Sequence, residues 1–322
     1  MRLRVLVINR KKDVYDLSEA ICSDITYTTT RVGSASTISF DVLKSGEMSF
    51  HEGDMVKIFL DTKLFIVCYI FAKSKKQDVI TVTAYDLIRY LQYKQSYNFS
   101  NMTADKIIKQ MANEFNLPVG TLDSTGFILP PKLYEDKTLL DIATDALMQT
   151  TVKTSKVYNL FDDKGKLTLK KCKNMLQKEI IGNQSFATDY TYNTSIENSY
   201  SYIKLVKPNK KTGKADAFVA FDDIKLKNWG RLQFYKKVDE NMNDAKIREL
   251  AKNYLKYYAQ TERKLKIDAL GIPTFRAGCM VIIDIKALGD IDLNKLLLID
   301  KCTHKLNEYE HTMTLEMRVT ND

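Results

Sequence analysis

Histidine, cysteine and carboxylate side chains are the ones best suited to metal binding and to acid–base chemistry. The one cluster of such residues runs from His304 to His311, with Glu308 and Glu310 between the two histidines. The surrounding pattern places this cluster across a hairpin turn, so the histidines do not share the helix face on which a zinc-binding helix motif depends. We therefore interpret the cluster as a polar loop, and we assign no metal ligand and no cofactor.

Paired carboxylates could act as a general acid and a general base, and the chain has two adjacent pairs, Asp162–Asp163 and Asp222–Asp223. Neighbouring residues of a strand point to opposite faces, so neither pair can hold both carboxylates on one substrate. We interpret both pairs as turn residues. The sequence also contains no nucleophile elbow, no P-loop and no dinucleotide-binding glycine motif. It therefore assigns no catalytic residue, and we predict that the protein is not an enzyme.

Composition limits the classes of partner. The 322 residues suffice for two or three domains, and a hydrophobic content of 44% allows ordinary globular cores. The net charge of +9 permits an anionic partner. However, the basic runs, such as Lys207–Lys214, lack the interleaved aromatic residues of a nucleic-acid groove, so specific nucleic-acid binding is not expected.

The cysteines and the apolar stretches indicate the compartment. Five widely spaced cysteines without a CxxC pair favour free thiols in a reducing compartment: Cys22, Cys68, Cys172, Cys279 and Cys302. The N-terminal residues resemble a first strand and not a signal peptide. The longest apolar stretch, Leu64–Ala72, is too short to span a membrane. We expect a protein that is made in the cytoplasm and does not insert into membranes.

The two ends of the chain repeat one pattern. Gly53-Asp-Met-Val-Lys-Ile58 resembles Gly278-Cys-Met-Val-Ile-Ile283. Each segment is followed by two further apolar stretches, which lie at Leu64–Val67 and Ile80–Ala84 in the first half and at Leu296–Ile299 and Met313–Met317 in the second. The spacing predicts one small β unit that is used twice, and a duplicated unit without a catalytic cluster favours assembly over chemistry.

The periodicity of the apolar residues predicts the elements. Alternation typical of short antiparallel strands covers residues 1–95 and suggests a small barrel or sandwich. A helical period follows, with Thr103 and Thr138 as predicted N-caps of two helices. We predict a mainly β, α+β chain with two similar small antiparallel β-barrel domains. The division is a first barrel at 1–95, an inserted α+β domain at 96–190 and a second barrel at 191–322, interrupted by the long helix 241–262.

Seven short motifs occur in a fixed order and cover nearly the whole chain. They are Ala84-Tyr-Asp-Leu-Ile-Arg-Tyr-Leu91, Thr103-Ala-Asp-Lys-Ile-Ile108, Phe115-Asn-Leu-Pro-Val-Gly120, Lys137-Thr-Leu-Leu-Asp-Ile142, Phe161-Asp-Asp-Lys-Gly-Lys-Leu167, Trp229-Gly-Arg-Leu-Gln233 and Phe275-Arg-Ala-Gly278. Together they resemble the XkdQ/YqbQ family of Gram-positive prophages and phage-tail-like bacteriocins. That family is similar to the late control D and baseplate hub proteins of contractile phages.

The resemblance implies a structural baseplate hub of a contractile tail or contractile injection system. Two tube-type barrels per chain would assemble as a homotrimer into a pseudo-six-fold ring, which continues the tail tube and adapts it to a three-fold spike. The implied partners are the tail tube ring, the spike and other baseplate proteins, with the tape measure as a further candidate. The protein would reside in the bacterial cytoplasm during assembly and then in the released virion or bacteriocin particle.

Four residues form the candidate assembly interface. Trp229 is the only tryptophan of the chain, and Arg231 follows it closely. Trp229 is either a buried residue at a strand turn or an anchor at a subunit or domain boundary, where Trp and Arg concentrate binding energy. Phe275 and Arg276 complete the set. The alternative functions are a cell-wall-degrading tail enzyme, a basic tail protein that contacts DNA, and a monomeric tube terminator or chaperone.

Overall fold

The computed structural model describes residues 2–44, 49–209, 214–288 and 291–319. The N-terminal strands form what we call the first β unit. They are β1 (Leu3–Ile8), β2 (Val14–Asp16), β3 (Ile25–Thr30), β4 (Thr37–Leu43), β5 (Met55–Leu60), β6 (Lys63–Lys76) and β7 (Val79–Tyr85). Along β4 and β5 every second side chain is buried, as expected for a sheet with one face on a core. Ile38, Phe40 and Ile58 are among the buried residues of that core.

The first insert, residues 86–175, has its own core. Its elements are the 3-10 helix Leu87–Gln92, β8 (Lys94–Phe99), α1 (Ala104–Glu114), β9 (Val119–Leu122), β10 (Lys132–Thr138), α2 (Leu139–Thr154), β11 (Tyr158–Asp162), β12 (Leu167–Lys171) and the 3-10 helix Cys172–Asn174. The Thr138 side chain caps α2 by accepting a hydrogen bond from the Asp141 amide at 3.0 Å. Ile107, Met111 and Ile142 pack between the two helices and the small sheets.

The second insert, residues 196–261, also has a separate core. It follows β13 (Leu176–Gly182) and β14 (Ala187–Ser195), and contains β15 (Tyr202–Asn209), β16 (Lys214–Phe221), α3 (Asp223–Trp229), β17 (Gln233–Lys237) and α4 (Asp244–Tyr258). Ile203, Phe218 and Tyr254 are buried between this three-stranded sheet and α4. The predicted helix 241–262 is therefore α4, shorter at both ends, and it belongs to a complete small module.

The remaining strands form the second β unit together with β13 and β14. They are β18 (Glu262–Leu270), β19 (Met280–Leu288), β20 (Ile291–Leu306) and β21 (His311–Arg318). β13 pairs with β19, and β14 pairs with β18. The second β unit thus begins at Leu176, whereas the sequence-based division places residues up to 190 in the inserted domain. The difference arises because the second insert separates β14 from its pairing partner β18.

The two β units repeat the same strand order. In the first, the order is β3-β4-β7-β6-β5-β1, and in the second it is β14-β18-β21-β20-β19-β13. In both units a glycine in the left-handed region, Gly53 or Gly278, precedes the fifth strand of that order. Gly53 donates to the Ile70 carbonyl at 2.7 Å, and Gly278 donates to the Ile299 carbonyl at 2.8 Å. The register shift that follows Ile70 recurs after Ile299.

This register corrects one detail of the predicted repeat. The pairing of β6 with β7 and of β20 with β21 matches Ile80, Val82 and Ala84 to Met313, Leu315 and Met317, as the sequence pattern indicates. The same pairing matches Ile299 to Ile70 and not to Val67. The middle apolar stretches are offset because the hairpin is longer in the second unit: Lys305 pairs with Thr312, seven positions on, whereas the equivalent Lys76 pairs with Val79, three positions on.

The strands do not close into barrels within the described parts of the chain. They form one path of paired strands from β14 to β2, with β13 attached to β19. Apart from the ladders of this path, the described residues of each unit form one isolated bridge: Ile21 with Val42 in the first unit and Gly182 with Phe186 in the second. The prediction of two closed barrels is thus corrected to two open units in one mainly antiparallel sheet.

Candidate assembly site at the junction of the β units

The two β units are joined by a strand ladder between β3 and β20. Six consecutive residue pairs connect them, from Lys301 opposite Thr30 to Leu306 opposite Ile25. In the middle of this ladder the hydroxyl oxygens of Thr28 and Thr303 lie 3.1 Å apart. The contact between the two β units is thus a continuous strand ladder.

Salt bridges reinforce one end of this ladder. The Arg31 guanidinium donates from Nε to the Asp300 carboxylate at 2.7 Å, and Arg318 donates to the other oxygen of the same carboxylate. The backbone also contributes, because the Arg31 amide donates to the Asp300 carbonyl at 2.9 Å. Arg31 and Asp300 are both mostly buried, which limits solvent screening of the pair.

A buried histidine pair lies under the ladder. His304 is fully buried, with Nε2 at 2.9 Å from the Phe275 carbonyl and Nδ1 at 2.8 Å from His311 Nε2. One tautomer satisfies both contacts: His304 donates from Nε2 to the carbonyl and accepts from His311 at Nδ1. Burial lowers the pKa of both histidines to about 4, so both rings are neutral near pH 7.

This geometry corrects the interpretation of the cluster as a polar loop. Glu308 and Glu310 lie in the exposed turn, but His304 is a core residue of β20 that stacks on the Tyr27 ring at 6.0 Å. Within the described ranges no group of three or more histidine, cysteine or acidic residues is arranged to hold a metal ion. The histidines therefore form an internal hydrogen-bonded link between β20 and β21.

Arg276 connects the second β unit to the first insert. Its guanidinium lies 3.9 Å from the centre of the Phe161 ring and donates from Nη1 to the Asp162 carbonyl at 3.0 Å. The Asp162 carboxylate accepts from the amides of Gly165 and Leu87. Asp162 therefore begins a turn, as predicted, and it is also a buried residue of the junction. Burial raises its pKa, and the two amide hydrogen bonds oppose that change.

Asp86 is the second buried carboxylate at this place. It caps the 3-10 helix of the first insert by accepting from the Ile88 amide at 3.1 Å. Burial raises the pKa of Asp86 to about 7, the neighbouring charge of Asp162 raises it further, and the charge of Arg276 lowers it. Asp86, Asp162 and Arg276 thus form a coupled group where both β units and the first insert meet.

A close backbone approach completes the junction. The Asn159 side chain donates to the Ala277 carbonyl at 2.9 Å. Gly278 has φ +89°, and a Cβ atom there would lie 2.2 Å from the Asn159 amide nitrogen. Gly278 is therefore required both for its backbone conformation and for the space it leaves to the first insert.

The four residues of the candidate interface lie in two places. Phe275 is fully buried and Arg276 half-buried, and both serve the intramolecular junction. Trp229 ends α3 and is half-buried under the Lys225 ammonium group. Arg231 is exposed, with its guanidinium 4.4 Å from the centre of the Tyr202 ring. Trp229 and Arg231 are thus on the second insert, apart from the junction.

Sequence reasoning did not identify Asn159 as a junction residue. It is buried, and its hydrogen-bond partner Ala277 lies 118 residues away in the chain. A useful signal was present for Asp86 and Asp162, since both occur in the ordered motifs. Their meeting at one point could be found only from the fold.

The fold is that of phage tail proteins. The tail protein from Neisseria meningitidis MC58 superposes on the chain with a TM-score of 0.72 at 13% identity, covering 99% of this chain and 97% of that one. Two proteins of Bacillus subtilis strain 168 are similar in sequence. The uncharacterized protein YqbQ is 31% identical over 282 residues, and the phage-like element PBSX protein XkdQ is 31% identical over 283 residues. Each match covers 86% of this chain and 85% of the relative.

The model of the YQBQ-like family matches residues 25–318. The chain therefore belongs to the YQBQ-like family. In the parts of the chain that the structure describes, no helix is long and apolar enough to cross a membrane.

Proposed function

We propose that the protein is a structural baseplate hub of a contractile tail or contractile injection system. It acts as a homotrimer whose six β units form a pseudo-six-fold ring. The observation that carries this proposal is the tandem repeat of the β unit, with the same strand order, glycine position and β-bulge in both copies. The family supports it, because the relative XkdQ is named as a protein of a phage-like element.

The repeated β unit would resolve a symmetry mismatch between the tail tube and the spike. A tube of six-fold rings and a three-fold spike cannot match through identical contacts. Three chains with two similar β units each offer six near-equivalent surfaces to the tube, and the parts that differ between the units offer three distinct surfaces to the spike. The first and second inserts, residues 86–175 and 196–261, are the largest such differences, and we propose them as separate folding units.

The second insert has the character of a partner-binding surface. On its sheet face away from α4, Phe221 and Tyr235 are about half exposed, and Ile224 at the start of α3 is 73% exposed. Arg231 and Trp229 flank this apolar area. Aromatic and arginine side chains of this kind form the energetic centres of protein interfaces. We propose that this face contacts the spike or another baseplate protein and that the protein itself does no chemistry.

Electron microscopy tests the proposal. Negative-stain averages of the purified protein, alone and co-expressed with the neighbouring tail genes, should show a ring of six lobes with three-fold modulation from the inserts. A matched preparation of Trp229→Ala, which leaves both β units intact, should keep the ring but lose the partner density. Single isolated chains in both preparations would contradict the hub assignment.

A further inference from the structure

Two strand edges are open where their counterparts in the repeat are paired. β3 pairs with β4 on one side and with β20 on the other. Its counterpart β14 pairs with β18 and ends the path of strands. Likewise, the second half of β20 lies between β21 and β3, whereas the second half of β6 pairs with β7 alone. Within the described residues, each β unit therefore has an open strand edge. The first has the second half of β6, the counterpart of β20, and the second has β14, the counterpart of β3.

The exposure of equivalent residues shows the same asymmetry. Thr29 on β3 is 1% exposed, but the matching Thr194 on β14 is exposed. His304 on β20 is fully buried, but the matching Lys75 on β6 is exposed. Ser74 is exposed as well, while its counterpart Thr303 is half-buried. The residues that are covered in the internal contact are thus uncovered at the two open edges.

The sequences of the two equivalent edge strands agree. The equivalence of β3 and β14 follows from the register in which they pair with β4 and β18. It aligns Ile25-Thr-Tyr-Thr-Thr-Thr30 with Tyr190-Thr-Tyr-Asn-Thr-Ser195. Tyr27 of the first set packs on the His304 ring. The matching Tyr192 has a buried hydroxyl without a hydrogen-bond partner among the described residues. β14 therefore resembles in sequence β3, which is paired on both sides.

We propose that β14 of one copy pairs antiparallel with the second half of β6 of the next copy, in the register of the β3–β20 ladder. This inference rests on the proposed homotrimer and names the contact that builds it. The equivalences place Ser195 opposite Ala72, Asn193 opposite Ser74 and Thr191 opposite Lys76. Each copy then gives one edge and receives the other, which is a head-to-tail contact that closes into a ring when three copies complete the turn.

The side chains at the two edges suit each other. Lys76 would lie diagonal to Asp189 on the neighbouring strand, within the range of a cross-strand charge pair. Where Arg31 and Asp300 meet within the chain, the equivalent residues are Ile196 and Phe71, an apolar pair. The alternative role for the lysines of β6 is to prevent strand pairing, as lysine does on other edge strands. Cysteine cross-linking distinguishes pairing with β14 from this alternative.

Cysteine cross-linking tests the pairing. In a Cys22→Ser background, which removes the exposed native thiol, the variant Ser74→Cys/Asn193→Cys places two thiols directly opposite each other between copies. Mild oxidation should give covalent species of two and three chains and none larger. The matched control Thr28→Cys/Thr303→Cys uses the equivalent pair within one chain, whose hydroxyls are 3.1 Å apart, and should cross-link without any change in mass. The control Ser74→Cys/Thr194→Cys is one residue out of register and should not cross-link.

The outcomes distinguish this inference from the proposed function. A trimer by light scattering that cross-links equally in both registers, or in neither, overturns the strand pairing and leaves the homotrimer intact. Monomers that fail to cross-link even at millimolar concentration overturn both. Should the cysteine variants fail to fold, hydrogen exchange of the unmodified protein decides the question. Amides of residues 191–195 must then exchange as slowly as those of β3, and rapid exchange there overturns the pairing.

Discussion

Acid should weaken the junction of the β units through His304. The pKa of this histidine is about 4 in the folded protein because of burial, compared with 6.5 for an ordinary histidine. The folded state therefore binds fewer protons than the unfolded state between these two values. The contribution of the neutral His304 to the free energy of unfolding is fully present above pH 6.5 and is lost as pH falls toward 4.

The magnitude follows from the shift in pKa. A difference of one pKa unit corresponds to about 1.4 kcal/mol, so the neutral His304 accounts for a loss of about 3 kcal/mol in the free energy of unfolding between pH 7 and pH 4. Asp86 acts in the opposite direction, since its raised pKa of about 7 means that the folded state binds more protons over most of this range. His311, whose pKa is also lowered to about 4 by burial, acts in the same direction as His304. The total pH dependence thus mixes the effects of these three groups, and the contribution of His304 must be isolated by comparison.

The contribution of His304 can be isolated by urea unfolding of His304→Gln and of the unmodified protein at pH 7 and pH 4. Glutamine keeps a donor toward the Phe275 carbonyl but does not titrate. The variant should be less stable at pH 7 and should lose about 3 kcal/mol less between the two pH values. Thr303→Ala is the matched control, because it removes a hydroxyl of the same ladder and no titrating group. It should lower the free energy of unfolding by the same amount at both pH values. Equal losses in His304→Gln and the unmodified protein would refute the assignment of a buried neutral histidine.

Three further predictions concern the junction and the open edge. Gly278→Ala should lower the free energy of unfolding by about 2 kcal/mol or more, since it adds a clash with Asn159 to the strain at φ +89°; Gly33→Ala, at φ +81° with open space around it, should cost only about 1 kcal/mol in the same urea titration. Arg276→Met should cost about 2 kcal/mol by losing the hydrogen bond to Asp162 and the contact with Phe161, and Arg276→Lys should recover only part of it; equal stability of all three proteins by urea titration would contradict this role. Lys75→Glu should leave the single chain folded by circular dichroism, because the side chain is exposed, but should shift the solution mass toward the single chain and block tube joining in electron micrographs; normal particles would contradict the edge assignment.

The repeat was predictable because backbone requirements left marks in the sequence. Gly53 and Gly278 both need a left-handed conformation before a strand, and that need fixed the alignment of the following apolar residues. The correspondence between β3 and β14 was not predictable in the same way. The second insert separates β14 from β18, so this strand does not lie near the rest of its unit in the sequence.

The junction was less predictable because its contacts are long-range. Phe275 and Arg276 could be singled out, but Arg276 reaches Asp162 across 114 residues. Periodicity showed that the His304 segment crosses a hairpin, yet it could not show that β3 covers that strand and buries the ring. The open edges were likewise invisible, since an unpaired strand and a paired strand have the same alternation.

The mass of the purified protein in solution tests the central claim most directly. Light scattering should give about three times the chain mass of 37.1 kDa, and the value should hold on dilution through the micromolar range. A species of three chains supports the ring of six β units. A mass of one chain at every concentration, with the neighbouring tail proteins present, would contradict the account.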